Sequence, residues 1–169
     1  QHGGVPLTTS YTQKISELAH SNGMKLHIDG ARIFNSSISQ GEKVKTLVEP
    51  ADSAMFSLSK GLSCPVGSMS VGNKKFITEA RQIRRILGGG MRQVGILAAA
   101  GIVALEEMIN RLKEDHSNAE IIADGIRNNS NLILSQKDVF TNILFVNINK
   151  ENTNIFKLQA FLARKGIKT

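Results

Sequence analysis

Two short runs decide the fold: Met24-Lys25-Leu26-His27-Ile28, closed by Asp29-Gly30, and Ser53-Ala54-Met55-Phe56-Ser57-Leu58, closed by Ser59-Lys60-Gly61. Each carries apolar residues and stops at turn-forming ones, the pattern of a β-strand. The first run follows a helical pattern over residues 10–21, with Ile15, Leu18 and Ala19 on one face and Asn22-Gly23 as the C-cap. A helix followed at once by a strand is the αβ half of an α/β unit, so the fold class is read as α/β.

Working outward, residues 1–9 read as a loop containing Gly3, Gly4 and Pro6. Residues 31–39 read as a short helix or irregular turn, followed by a polar stretch over 40–49. Past the second strand come a turn over 62–65, a third strand over 66–71 and a helix over 74–86, which Gly88-Gly89-Gly90 breaks. A long helix is expected over 93–115, and a further one over 116–128. The Ala- and Gly-rich stretch 94–105 reads as buried. Beyond Asn129 the pattern turns α+β, with strands over 132–134 and 142–148 and a helix over 156–165 ending at Gly166. The expected organisation is one domain over 1–115, including the linking helix, and an incomplete small domain over 116–169. Gln1 is no initiator Met, so the expectation is a piece of a longer chain.

Composition narrows the function classes. A 41% hydrophobic and 21% charged chain is ordinary for a globular protein, and no apolar run reaches the roughly 18 residues of a membrane span. The formal net charge of +7 is concentrated in Lys74, Lys75, Arg81, Arg84, Arg85 and Arg92. Only Phe76 supplies a ring there, so the stacking platform of a single-strand binder is missing. No nucleic-acid partner and no membrane partner is expected; the charge reads as a solvated helix face or a site for a small anion. The single Cys64 excludes a disulfide framework, and the four histidines lack metal-ligand spacing. A reducing compartment, the cytoplasm, is expected.

In open α/β sheets, ligands bind at the carboxyl ends of strands. Asp29 ends one strand and Lys60 follows another, so an acid and an amine are placed to share a crevice. Spacing alone favours the blander reading, a solvated turn Asp and a surface Lys, since such pairs are common.

Local sequence separates these readings. His27-Ile28-Asp29-Gly30-Ala31-Arg32, Ser57-Leu58-Ser59-Lys60-Gly61-Leu62 and Leu87-Gly88-Gly89-Gly90-Met91-Arg92-Gln93 occur in this order. With the Pro65-Val66-Gly67-Ser68 turn and the Ala98-Ala99-Ala100-Gly101 segment, they closely resemble the L-threonine aldolases. That group lies within the fold-type I pyridoxal-5′-phosphate (PLP) enzymes related to β-eliminating lyases. The resemblance covers most of residues 1 to about 120 and weakens beyond. It implies part of a fold-type I large domain with a mainly parallel sheet, followed by part of the small domain.

The resemblance also implies roles. Lys60 is the Schiff-base lysine, and Asp29 stands against the pyridinium nitrogen so that the ring can absorb carbanion charge. Arg32 holds the substrate carboxylate through a two-pronged donor, with a local salt bridge as the alternative. Ser57 or Ser59 donates to the cofactor phosphate. In the resembled family the Gly88–Gly90 segment lies at a subunit interface, where Arg92, and less directly Arg85, would reach a neighbouring copy's phosphate or substrate. A plain C-cap and chain reversal stands beside that reading. His27 is read as packed behind the site, and Cys64 as a small buried residue. The family's phosphate-binding glycine loop and stacking ring are expected before Gln1, and a further carboxylate-binding arginine after Thr169.

The implied reaction is retro-aldol cleavage of a β-hydroxy-α-amino acid, L-threonine or L-allo-threonine, to glycine and acetaldehyde by a homodimer or homotetramer. No residue is assigned as its base. Two alternatives remain: a β-eliminating lyase, and a truncated non-catalytic paralogue that acts as an interaction subunit.

Overall fold

The computed structural model of the chain describes residues 2–149 and 154–168; the remaining positions, including the first of the expected loop over 1–9, lie outside the described residues. Two compact units divide the chain, Val5–Asp115 in one and Gln1–Gly4 with His116–Thr169 in the other.

The first unit opens with helix α1, Thr9–Ser21. It starts where it does because the Thr8 hydroxyl accepts the Tyr11 N–H at 3.2 Å, satisfying a donor that the helix cannot. It stops at Asn22, after which Gly23 takes a left-handed φ of 69°. Strand β1, His27–Asp29, follows, then α2, Ile33–Gln40, and α3, Val44–Val48. The polar stretch over 40–49 therefore contains a one-turn helix that its composition did not announce.

Strands β2, Ser53–Ser57, and β3, Ser68–Gly72, complete a sheet in the order β1-β2-β3. β1 runs parallel to β2, pairing His27 with Ser53 and Asp29 with Met55. β3 returns antiparallel, pairing Ser57 with Ser68 and Ser53 with Gly72. The described sheet is thus mixed: β2 and β3 are joined by a loop without a crossover helix, and a parallel pairing needs a crossover. Alternation along paired strands puts Ile28, Ala54 and Phe56 on one face, and His27, Asp29, Ser53, Met55 and Ser57 on the other.

Leu58, Leu62, Cys64, Ala104 and Leu112 form a buried cluster, with Phe34, Ile38 and Phe56 packed against it. The Phe34 and Phe56 rings meet edge to face at 5.2 Å. Leu112 is 1% exposed, and burying such a side chain is worth about 1.5–3 kcal/mol.

Helix α4 spans Lys74–Ile86, the bounds expected for it, with the Asn73 side chain capping its start. The helix expected over 93–115 is instead α5, Gly95–Val103, followed by a π-type turn, Ala104–Met108. Helix α6, Leu112–Arg127, then begins earlier than the helix expected at 116. The wider turn lets Ala104 and Leu112 reach the same cluster, while Met108 and Ile109 both pack at its edge. The expected burial of 94–105 does not hold: Ile96 is 79% exposed and Ile102 57%, while Gly101 and Ala104 are covered. A helix apolar all round is buried only where neighbours surround it, and the described residues cover one side.

In the second unit, β4, Leu132–Leu134, pairs antiparallel with β5, Val146–Ile148, and helix α7 spans Ile155–Arg164. The strand expected over 142–148 is shortened because the Gln136 side chain takes the place of a ladder partner. Its amide donates to the Ile143 carbonyl at 2.8 Å and accepts from the Phe145 N–H at 3.1 Å. Gln136 and the Thr141 hydroxyl also donate to the Gly3 and Gly4 carbonyls, at 3.0 and 2.9 Å. No helix among the described residues is long and apolar enough to cross a membrane.

Candidate active site

Because β1 and β2 are parallel, both carry their carboxyl ends to one edge of the sheet. The ladder continues past Asp29, with the Gly30 N–H donating to the Met55 carbonyl at 2.9 Å. A Cβ on Gly30 would fall 2.8 Å from that oxygen, so only glycine lets the chain cross there. The Asp29 carboxylate accepts the Ala31 N–H at 3.2 Å, a local turn that leads the backbone into α2, and the side chain stays exposed. Arg32 sits at the N-cap position of α2, half-buried, and among the described residues it forms no ion pair. The alternative of a local salt bridge is not realised among the described residues.

The lysine loop is built on three anchors. Leu58, Leu62 and Cys64 are buried, while Ser59 and Lys60 between them are exposed. The Leu58 N–H donates to the Gly67 carbonyl at 2.9 Å, and the Cys64 N–H donates back to the Leu58 carbonyl at 3.0 Å. Within this frame the Ser63 N–H donates to the Lys60 carbonyl at 2.8 Å, with Ser63 in the left-handed region at φ 62°. The Ser57 and Ser59 hydroxyls are 3.4 Å apart beside it.

Asp29, Ser57, Ser59 and Lys60 therefore occupy the carboxyl ends of two neighbouring strands. Asp29 and Lys60 make no ion pair with each other or with any other described residue. An acid, an amine and two hydroxyls so disposed suit a small anionic molecule with an electrophilic carbon and a basic ring atom.

Arg92 lies elsewhere, exposed in the connection between α4 and α5, without a hydrogen bond to the strand-end residues among those described. The glycines before it close α4: Gly88 has φ 80°, and the Gly89 N–H donates to the Arg84 carbonyl at 2.8 Å. An open groove of about 460 Å³ runs along α4, lined by Phe76, Ala80, Ile83 and Leu87, and includes none of the strand-end residues. His27 is exposed on the sheet face opposite the core, where its ring lies 6.4 Å from that of Phe76 and its Nδ1 2.8 Å from the Ser53 hydroxyl. Cys64 is free and buried. Nothing in its local sequence marks Asp52, which collects His20, Lys25 and the Leu26 N–H at the opposite end of β2.

An α/β unit with a lysine beyond one strand and an acid at the end of its parallel neighbour is the frame in which comparison with known proteins becomes informative. The beta-eliminating lyase family model matches residues 1–149, and the chain belongs to that family. It is 51% identical over 146 residues to an Arabidopsis thaliana protein named probable low-specificity L-threonine aldolase 2, covering 86% of this chain and 41% of that protein. It is 44% identical over 166 residues to low-specificity L-threonine aldolase 1 of the same plant, covering 98% of this chain and 46% of that protein. The chain thus spans less than half the length of these relatives. Its fold is shared with a crystal structure assigned as an L-allo-threonine aldolase of Listeria monocytogenes. That match has a TM-score of 0.83 and 22% identity, and covers 96% of this chain and 46% of the other.

Proposed function

We propose that the protein is a PLP-dependent aldolase that cleaves β-hydroxy-α-amino acids such as L-threonine or L-allo-threonine to glycine and acetaldehyde. The observation that carries the reading is the delivery of Asp29 and Lys60 to the same edge by the parallel pairing of β1 with β2. Relatives named low-specificity L-threonine aldolases support the substrate class.

The residues present fit PLP: an exposed amine and an exposed carboxylate without an ion-pair partner among the described residues, with the Ser57 and Ser59 hydroxyls at the end of the strand that leads to the lysine. When bound, PLP supplies an aldehyde that captures amines and a ring that takes up the electron pair released at Cα. Lys60 would hold it covalently through its side-chain amine. The Asp29 carboxylate would keep a proton on the ring nitrogen. Arg32 would donate two parallel hydrogen bonds to the substrate carboxylate, fixing which bond at Cα stands perpendicular to the ring. Ser57 and Ser59 would donate to the phosphate. Arg92 would serve a neighbouring copy in a homodimer or homotetramer. Residues 1–115 would belong to the cofactor-bearing domain and 116–169 to the small one. The free buried Cys64 fits a cytoplasmic home.

The full-length protein is expected to carry a borohydride-reducible adduct on Lys60 and to release glycine from threonine. Retention of a reducible adduct by Lys60→Ala would show that another residue is the anchor. Because the matching family model is that of the beta-eliminating lyases, the competing outcome is release of ammonia and a keto acid in place of glycine and an aldehyde.

A further inference from the structure

We propose that Gly61 is a positioning residue for Lys60: its lack of a side chain seats the lysine turn directly on Leu112, and this seating sets where the amine stands. The inference rests on the reading of Lys60 as the cofactor lysine.

A Cβ built on Gly61 falls 2.6 Å from Leu112 Cδ2, with Asn35 Oδ1 and Asp115 Oδ2 each at 3.7 Å. Only the Leu112 contact is closer than ordinary packing, and that methyl belongs to a side chain enclosed by the core. Leu112 is 1% exposed and packed among Leu58, Leu62, Cys64 and Ala104, and Asn35 is 4% exposed. Gly61 is not among the residues with positive φ, so what the position demands is space and not backbone freedom.

The rest of the turn is already tied. Cys64 bonds back to Leu58, Ser63 holds the Lys60 carbonyl, and Leu58 and Leu62 are sunk in the core on either side. A methyl group at Gly61 must therefore lift the crest of the turn, and Lys60 is the residue immediately before it. β1 and Asp29 stay in place, because their pairing with β2 ends before the turn. The distance between amine and carboxylate changes, and a ring held at both ends is sensitive to that distance. A purely structural glycine would lower stability and leave the amine in place once the protein folds.

The test uses full-length protein carrying Gly61→Ala, Leu112→Val, both together, or Lys60→Ala. Measured are PLP affinity of the apoprotein, the fraction trapped on Lys60 by borohydride, and thermal unfolding of the apoprotein. Gly61→Ala is expected to weaken PLP affinity about tenfold and to reduce trapping, as overpacking a closed site does. Leu112→Val removes the obstructing methyl, and the double variant is expected to recover most of the affinity. Wild-type affinity and trapping in Gly61→Ala would overturn the proposal. So would a double variant that regains stability without regaining affinity, and this second outcome decides the matter if Gly61→Ala folds poorly. An adduct that persists in Lys60→Ala would instead refute the reading of the lysine itself, a result distinguishable from either.

Discussion

Asp52 gathers partners from α1 and from the segment leading into β1: His20 Nε2 at 2.8 Å, Lys25 Nζ at 2.9 Å, and the Leu26 N–H at 2.9 Å. Its own N–H donates to the Leu26 carbonyl at 3.0 Å, so this residue starts the β1–β2 ladder with its side chain as well as its backbone. The His20 contact, then Lys25, then the Leu26 N–H hold its carboxyl well below the usual carboxylate range. A depressed folded value means that the contribution is whole above the unfolded value, about 3.9, and is lost as pH falls toward the folded one. Chemical denaturation of wild type and Asp52→Asn should therefore show a stability gap at pH 6 that narrows below about pH 4, as carboxylate linkage requires. A gap that persists unchanged at low pH would deny the linkage. Arg32 makes a second prediction at this scale. Under the carboxylate-binding role proposed for it, lysine would keep the charge but lose the parallel pair of donors, so Arg32→Lys in the full-length protein should raise the KM for threonine about tenfold, the worth of one hydrogen bond to a charged group. Steady-state kinetics check this against kcat, which should change less.

Capping side chains decide where α1, α4 and α7 begin. Thr8, Asn73 and Asn154 accept the N–H of Tyr11, Phe76 and Lys157, at 3.2, 2.9 and 2.9 Å. Asn73→Ala should cost about 1 kcal/mol and speed hydrogen exchange in the first turn of α4, while Asn73→Asp keeps the acceptor and the stability. Equal exchange in all three proteins would show that the cap does not hold this end. Leu112 governs the other long element. It is the largest side chain below 2% exposure, and Leu112→Ala should cost about 2–5 kcal/mol by thermal or urea unfolding, through lost burial and the cavity left behind.

At the scale of the molecule, unit Val5–Asp115 exposes Ile83, Ile86 at 82%, Leu87 at 79%, and Ile96 at 79%. Apolar surface of this extent drives association, so the 169-residue chain alone should sediment as concentration-dependent oligomers. Ile86→Lys with Ile96→Lys should shift it toward monomer; unchanged sedimentation would locate the association elsewhere. Much of this architecture is legible in the linear chain. Asn22-Gly23 ends α1, the glycine run ends α4, and Asp29-Gly30 and Ser59-Lys60-Gly61 stop two strands. Dihedral preference and capping act between residues a few positions apart, and that is why such marks can be read locally. The ordered motifs around Asp29, Lys60 and Arg92 also carried the family. Contacts between distant residues decided the remainder. β3 turned antiparallel, Gln136 cut β5 short, α5 lay bare on one side, and Gly61 came down on Leu112. None of these leaves a periodic or capping signal, because each depends on which surfaces meet after the chain has folded.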